Sequence, residues 1–198
     1  MSILFYILLF LAYLLGSIPF GLLISKICGI DIRFHGSKNI GATNVFRVLG
    51  KKLGLLTFFL DALKGFIPTF LFPIFIGTNN LDISALFGVI AIIGHSFPIF
   101  LKFKGGKGVA TSTGMLIGVV PLIFFIGLLV WIILFLIFRY VSLASIIGTL
   151  TITFCSWFNN QSSLYLNILI SLISILIIVL HRENIKRLIN GTENKFSK

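Results

Sequence analysis

The chain alternates between long apolar runs and short polar intervals. Residues 3–24 form the first run, and at about 20 residues or more such a stretch can cross a bilayer. The second run covers 53–76 and the third 83–101. Residues 113–138 are apolar apart from Pro121, and 141–158 and 164–180 complete the set. Gly16, Ser17, Pro19 and Gly21 interrupt the first run with small residues, which permit close helix contact. The pattern predicts an all-α polytopic membrane protein, with 1–198 as a single membrane-embedded domain.

The polar intervals are not alike. Apart from Lys64, every Lys and Arg lies in the first interval, in 102–113, at Arg139 or in the tail 181–198. Neither 77–82 nor 159–163 contains one. Basic loops stay on the cytoplasmic side, so all the basic intervals are expected there. Residues 109–138 must then go out and return, and Val120–Pro121 is the natural break because proline cannot continue the helical ladder. The count becomes seven transmembrane helices, the fourth and fifth short, with the N-terminus outside and the C-terminus cytoplasmic. The second possibility is five full spans plus a re-entrant segment. Gly114 and Gly118 stand in GxxxG spacing, which suits tight helix packing.

Composition sharpens this picture. Hydrophobic residues make up 58% of the chain, against roughly 45–50% in soluble domains. The mean hydropathy of +1.12 leaves no room for a soluble domain. A net charge of +11 would suggest nucleic acid on a soluble chain. Here it points to anionic lipid or anionic substrates at the membrane surface, with no nucleic acid expected. Cys28 and Cys155 lie in or beside apolar segments and read as small hydrophobes. The N-terminus has no basic n-region, so a cleaved signal peptide is not expected.

The candidate chemistry collects in three of the polar intervals. Residues 36–54, GSKNIGATNVFRVLGKKLG, form a basic, glycine-studded loop. Exposed backbone amides and nearby cations can seat a phosphate. The plainer alternative is a positive loop that only fixes topology. The second cluster runs from His95 to Thr113, and the third is His181-Arg182-Glu183-Asn184. Asp61 and Lys64 sit three residues apart inside a span and can share one helix face. A lone charge at the bilayer centre costs at least ~2.5–3.5 kcal/mol, so the pair must face protein, each other or a wet cavity. A mutual ion pair is the preferred reading and substrate contact the alternative.

Several familiar sites are excluded. Gly105-Gly106-Lys107-Gly108 has glycine where a nucleotide-binding phosphate loop has Ser or Thr, and Leu101 replaces its leading glycine. His35, His95 and His181 lack paired metal-ligand spacing, so no metal is expected. No aspartate follows a histidine at the fifth position, which argues against the acyl-CoA-dependent glycerolipid acyltransferases. No serine stands in a nucleophile elbow. What remains suits catalysis by positioning a phosphorylated substrate.

These residues carry a resemblance. Gly36-Ser37-Lys38-Asn39-Ile40-Gly41-Ala42-Thr43-Asn44, with Arg47 and Gly50, resembles the first motif of the bacterial acyl-phosphate:glycerol-3-phosphate acyltransferases. Gly94-His95, Pro98 and Phe103-Lys104-Gly105-Gly106-Lys107-Gly108-Val109-Ala110-Thr111 resemble the second. His181-Arg182-Glu183-Asn184-Ile185, with Arg187-Leu188 and Gly191, resembles the third. Lys38 stands where the family commonly has glycine.

The resemblance implies transfer of a fatty acyl group from acyl phosphate to the 1-hydroxyl of glycerol 3-phosphate. The products are lysophosphatidate and phosphate, made without a cofactor. It implies a multi-pass protein of the bacterial cytoplasmic membrane with its active site on the cytoplasmic face. Its partners would be the two substrates, membrane lipid and, in transient contact, the soluble enzyme that makes acyl phosphate.

His95, Ser37, Lys107 and Asn184 are the expected catalytic residues. Ser37, Asn39, Thr43, Asn44, Arg47, Lys104, Gly105, Gly106, Lys107, Gly108 and His181 are expected to bind substrate or phosphate. For His95, orienting or deprotonating the hydroxyl and merely capping a helix end are both open readings. A small-solute or anion transporter with a basic cytoplasmic face is the rival function.

Overall fold

The computed structural model describes residues 3–160 and 162–196. They are mainly helical, with no strand among the described residues. The chain groups into two compact units, one ending at Val119 and the other beginning at Val120.

The first unit contains α1 (Ile3–Ser17), α2 (Phe20–Ile27), α3 (Ala42–Leu49), α4 (Lys51–Phe75), α5 (Leu81–Ser96) and α6 (Val109–Val119). Short 3-10 turns at Ile32–Phe34 and Ile99–Leu101 lie in its two basic loops. The long helix α4 is the axis on which the others pack, with α6 and α5 along its length and α3 folded back on its start. Its close contacts depend on missing side chains. A methyl group at Gly114 of α6 would overlap the Ala62 carbonyl of α4, so the GxxxG glycines do permit tight packing. Further along, the rings of Phe5 and Phe72 both meet Phe87, at centroid separations of 5.6 and 5.7 Å.

Two segments depart from the expected pattern. Residues 3–24 are not one continuous helix, because the chain breaks at Ile18–Pro19 between α1 and α2. Proline lacks the N–H that would continue the ladder, and its ring clashes with the preceding turn. Residues 36–54 are only partly loop. Val45, Val48 and Leu49 of α3 repeat at helical spacing and pack with Leu22, Ile32, Ile40, Leu53 and Leu101. This small core fastens both basic loops to the start of α4.

The second unit contains α7 (Pro121–Phe138), α8 (Val141–Trp157), α9 (Leu164–Leu180) and α10 (Arg182–Ile189). Gly127 of α7 lies against Ile152 and the Gly148 carbonyl of α8. Trp131 Nε1 donates to Ser145 Oγ at 3.1 Å, joining the same pair, and Trp157 Nε1 donates to Ser171 Oγ at 3.0 Å, joining α8 to α9. The basic tail is not merely an extension. It forms α10 and then returns, with the Phe196 N–H donating to the Arg139 carbonyl at 2.8 Å.

The break at Val120–Pro121 is present, with proline at the first position of α7. The expected lengths need one correction. The fourth apolar segment, α6, is short at 11 residues, about 17 Å at 1.5 Å per residue. The fifth is not short, because α7 has 18 residues, about 27 Å. Proline at its first turn costs no hydrogen bond, so the helix runs its full length from there. Among the described residues four helical stretches are long and apolar enough to cross a membrane, namely α1 with α2 across its break, α4, α5 with the 3-10 turn that follows it, and α7, or five if the bent pair α9–α10 counts as one span.

Candidate active site

The most buried charges lie at the centre of the first unit. Lys64 and Asp61 are each 2% exposed, and Lys64 Nζ lies 2.9 Å from Asp61 Oδ1. Lys64 also donates to the Ile18 carbonyl at 2.7 Å. That carbonyl sits at the α1–α2 break that Pro19 imposes, so the ammonium satisfies backbone which the interrupted helix exposes. On the other side His95 Nδ1 lies 3.7 Å from Asp61 Oδ1. The ion pair expected between Asp61 and Lys64 is therefore present, and a histidine from α5 stands beside it.

His95 connects this cluster to the second basic loop. Its carbonyl accepts the Gly106 N–H at 3.1 Å, and the Ser96 carbonyl accepts the Gly105 N–H at 3.1 Å. A methyl group on Gly106 would overlap His95 Nε2, and one on Gly105 would overlap the His95 carbonyl. Glycine at both positions is what lets the loop lie directly on the end of α5. Lys102 and Phe103 enter the loop with left-handed backbone, φ 50° and 61°. Lys104 is exposed and Lys107 half-buried. Gly108 then leads into α6, whose first amides lack helical partners and point toward the loop. The Gly105 and Gly106 amides, expected to face substrate, are thus taken by α5 carbonyls, and the loop brings lysines and a helix N-terminus together, an arrangement that can seat an anion.

The first loop is stabilised from within. Asn44, 1% exposed, accepts the Ser37 N–H on Oδ1 at 2.8 Å. Its Nδ2 is shared among the carbonyls of Asn39, His35 and Ile32 at 2.8, 3.0 and 3.3 Å. Asn39 Oδ1 in turn accepts the Gly41 N–H at 2.8 Å. Before the turn, the Arg33 hydrogen bond to Asp31 is the leading cause that lowers the Asp31 carboxyl to about 2. His35 Nδ1 donates to the Asp31 carbonyl at 2.9 Å. Lys38 holds a φ of 60°, the left-handed conformation that glycine adopts without strain. Ser37 and Thr43 are half-buried, as is Arg47 in the last turn of α3.

In the second unit the third polar cluster centres on a residue that the sequence reading passed over. Glu193, 8% exposed, accepts from Asn184 Nδ2 at 2.7 Å, Ser142 Oγ at 3.0 Å and Arg187 Nε at 2.7 Å. Burial alone would raise its carboxyl pKa. The hydrogen bonds from Asn184, Arg187 and Ser142 outweigh that effect and keep it below its ordinary value. His181 is buried, and its Nδ1 donates to the Ile177 carbonyl at 2.8 Å.

The expected site residues thus fall into distinct roles. His95 is brought together with Gly105 and Gly106, while Gly108 packs over Ile92 and Ser96 of the same helix. Asn39 and Asn44 use their side chains to shape the first loop. Asn184 turns an amide to Glu193. Asp61 and Lys64 form the mutual ion pair that their spacing inside an apolar run led us to expect. For Glu193 the one signal was an acid in a basic tail. Among the described residues no three His, Cys, Asp or Glu side chains gather as metal ligands do.

Comparison with known proteins adds a family. The model of the glycerol-3-phosphate acyltransferase family matches residues 6–191. A glycerol-3-phosphate acyltransferase of Wolbachia pipientis is 47% identical over 191 residues, spanning 96% of this chain and 98% of the relative. The Bacillus subtilis enzyme of that name is also 47% identical, spanning 96% of each. The crystal structure of PlsY, an integral membrane glycerol 3-phosphate acyltransferase, in its glycerol 3-phosphate form superposes with a TM-score of 0.91 at 44% identity. It spans 98% of this chain and 96% of PlsY. The lysophosphatidic acid form gives 0.89.

Proposed function

Since the chain belongs to the glycerol-3-phosphate acyltransferase family and is an integral membrane acyltransferase, we propose that its acyl donor is an acyl phosphate and its acceptor the 1-hydroxyl of sn-glycerol 3-phosphate. The hydroxyl oxygen attacks the acyl carbonyl carbon, and the bond from that carbon to the phosphate oxygen breaks. The products are 1-acyl-glycerol 3-phosphate and inorganic phosphate. The observation that carries this reading is the second loop, a glycine-and-lysine cradle fixed to the end of α5 and opening on the start of α6. PlsY, solved with glycerol 3-phosphate and with lysophosphatidic acid, supports the same acceptor and product.

An acyl phosphate is a mixed anhydride and already activated, so no covalent protein nucleophile is required. Holding the reactants in line can supply roughly 7–11 kcal/mol of the barrier. Lys107, Lys104 and the amides of Gly108 and the first turn of α6 seat one phosphate, while Gly105 and Gly106 spend their own amides on the end of α5 and hold the loop in place. Arg47, Ser37 and Thr43 on the first loop serve the other, while Asn39 and Asn44 hold that loop in shape. His95 lies buried between Asp61 and Gly106, which favours a positional part for it. The hydroxyl proton then leaves with the departing phosphate. His181 and Asn184 contact the substrate, the Asn184 amide being held by Glu193. An apolar groove of about 360 Å³, lined by Ile18, Leu22, Leu23 and Phe100 with Lys26 among them, offers room for an acyl chain beside a cation. We place both basic loops and the tail on the cytoplasmic face of the bacterial inner membrane, with seven crossings, of which α6 is the short one.

The test uses purified protein in liposomes given palmitoyl phosphate and radiolabelled glycerol 3-phosphate. Label should enter the lipid phase as lysophosphatidate. Label that only accumulates inside the vesicles, with no lipid product, would overturn the reading in favour of a transporter. Lys107→Arg keeps the charge but not the shape of the ammonium, and kcat/KM should fall about tenfold or more. Full activity in that variant would mean that a diffuse positive surface suffices.

A further inference from the structure

The Asp61–Lys64 pair is more elaborate than a membrane helix needs for its own stability. Replacing a buried ion pair with apolar residues of similar size is often neutral or stabilising. Here the pair occupies the junction of four segments. Lys64 reaches the Ile18 carbonyl at the α1–α2 break. Asp61 faces His95 Nδ1 on α5. The opposite edge of the same imidazole lies against Gly106, and the His95 carbonyl holds the Gly106 amide. Lys107 is the next residue. An unbroken line of contacts therefore runs from a charge pair inside α4 to the lysine of the phosphate cradle.

We propose that Asp61 and Lys64 are positioning residues for acyl transfer, because they orient the His95 ring on which Gly105 and Gly106 rest and so fix Lys107 for the substrate phosphate. Lys64 holds the Asp61 carboxylate in place. The carboxylate draws the Nδ1 edge of the imidazole toward α4, which turns the Nε2 edge to the loop. A rotated ring would strike the Gly106 backbone, since nothing larger than hydrogen fits between them. The assignment rests on the acyl-transfer reading. Glycerol 3-phosphate has no chain to bury and depends on the phosphate seat most, so its KM is the sensitive quantity.

Two double variants separate this role from simple support of the fold. Asp61→Leu with Lys64→Met fills the space with apolar atoms and removes the carboxylate. Asp61→Asn with Lys64→Met also removes the ion pair but leaves an amide oxygen that can face His95. Hydrogen exchange is measured in detergent without substrates, and KM and kcat are measured with palmitoyl phosphate as donor. In the Leu/Met protein the amides of Gly105, Gly106 and Lys107 should exchange about tenfold faster, and KM for glycerol 3-phosphate should rise about tenfold with a smaller change in kcat. The Asn/Met protein should recover most of both.

Three results would overturn the proposal. One is unchanged loop exchange and KM in the Leu/Met protein. Another is equal loosening in both doubles, which would exclude the route through His95. The third is exchange raised throughout α4 and α5, which would make the pair a general support. If the unaltered protein forms no lysophosphatidate, the functional reading fails, while loop exchange still decides the positioning.

Discussion

Two carboxylates in this molecule do contrasting work with similar partners. Asp61 sits deep in α4, takes its cation from three residues further along the same helix, and faces a histidine. Glu193 sits in the tail and collects Ser142, Asn184 and Arg187 from α8 and α10. Both Asp61 and Lys64 are almost wholly enclosed, at 3% and 1% side-chain exposure. Arg187 keeps 36% of its side chain exposed to solvent. Where water is excluded, charges must be matched one to one, and the match can be transmitted rigidly to a neighbour. Where one partner stays wet, several moderate hydrogen bonds share the task and the arrangement tolerates loss.

The sharpest way to break that contrast is to remove one member of the enclosed pair. Lys64→Met alone leaves the Asp61 carboxylate buried without its cation and should cost about 3–5 kcal/mol. Thermal unfolding in detergent measures it, and adding Asp61→Leu should restore most of the loss. A single-variant cost below about 1 kcal/mol would mean that water reaches the pair.

Glu193→Gln should cost less, about 1.5–3 kcal/mol, because the amide oxygen can still accept from Asn184 or Ser142. Acidification offers an independent check on the same residue. The folded-state pKa of Glu193 is depressed, so its contribution is complete above the ordinary value of 4.5 and is lost as pH falls below it. The unfolding temperature of the unaltered protein should drop below about pH 4.5, and the drop should flatten in Glu193→Gln.

Arg187→Ala should cost only about 1 kcal/mol, as expected for a half-exposed ion pair. The smallest effect belongs to Lys38→Gly. Relief of the left-handed backbone, about 1 kcal/mol, is nearly cancelled by the extra freedom of glycine in the unfolded chain. A loss beyond about 1 kcal/mol would show that the Lys38 side chain itself holds the loop, and a gain of that size that backbone strain dominates.

The same contrast explains what could be foreseen from the residues. Asp61 and Lys64 stand out because charge is costly inside an apolar run and their spacing makes them neighbours on a helix. The break at Val120–Pro121 was legible because proline acts locally. Glu193 was not, because Ser142 lies 51 residues away and Asn184 comes within reach only once the tail turns back on α10. Asn44 was expected to touch phosphate, yet its amide is spent on the backbone of its own loop. An asparagine in a glycine-rich stretch suits either task, and only the fold of that loop decides. Helix α3 escaped notice because its apolar face is completed by residues on either side of the loop. The break at Pro19 was masked by the length of the apolar run around it. The second loop was expected to seat an anion from its glycines and lysines. That it rests on His95, and through it on α4, required the three-dimensional arrangement.

The central claim is the acyl phosphate donor, and one comparison of donors tests it most directly. Purified protein in lipid is supplied with glycerol 3-phosphate and either palmitoyl phosphate or palmitoyl-CoA, and phosphate and lysophosphatidate are measured together. The account predicts one phosphate released per lysophosphatidate from palmitoyl phosphate, dependent on glycerol 3-phosphate, and no lipid product from palmitoyl-CoA. Equal product from palmitoyl-CoA, or phosphate release that does not depend on glycerol 3-phosphate, would contradict it.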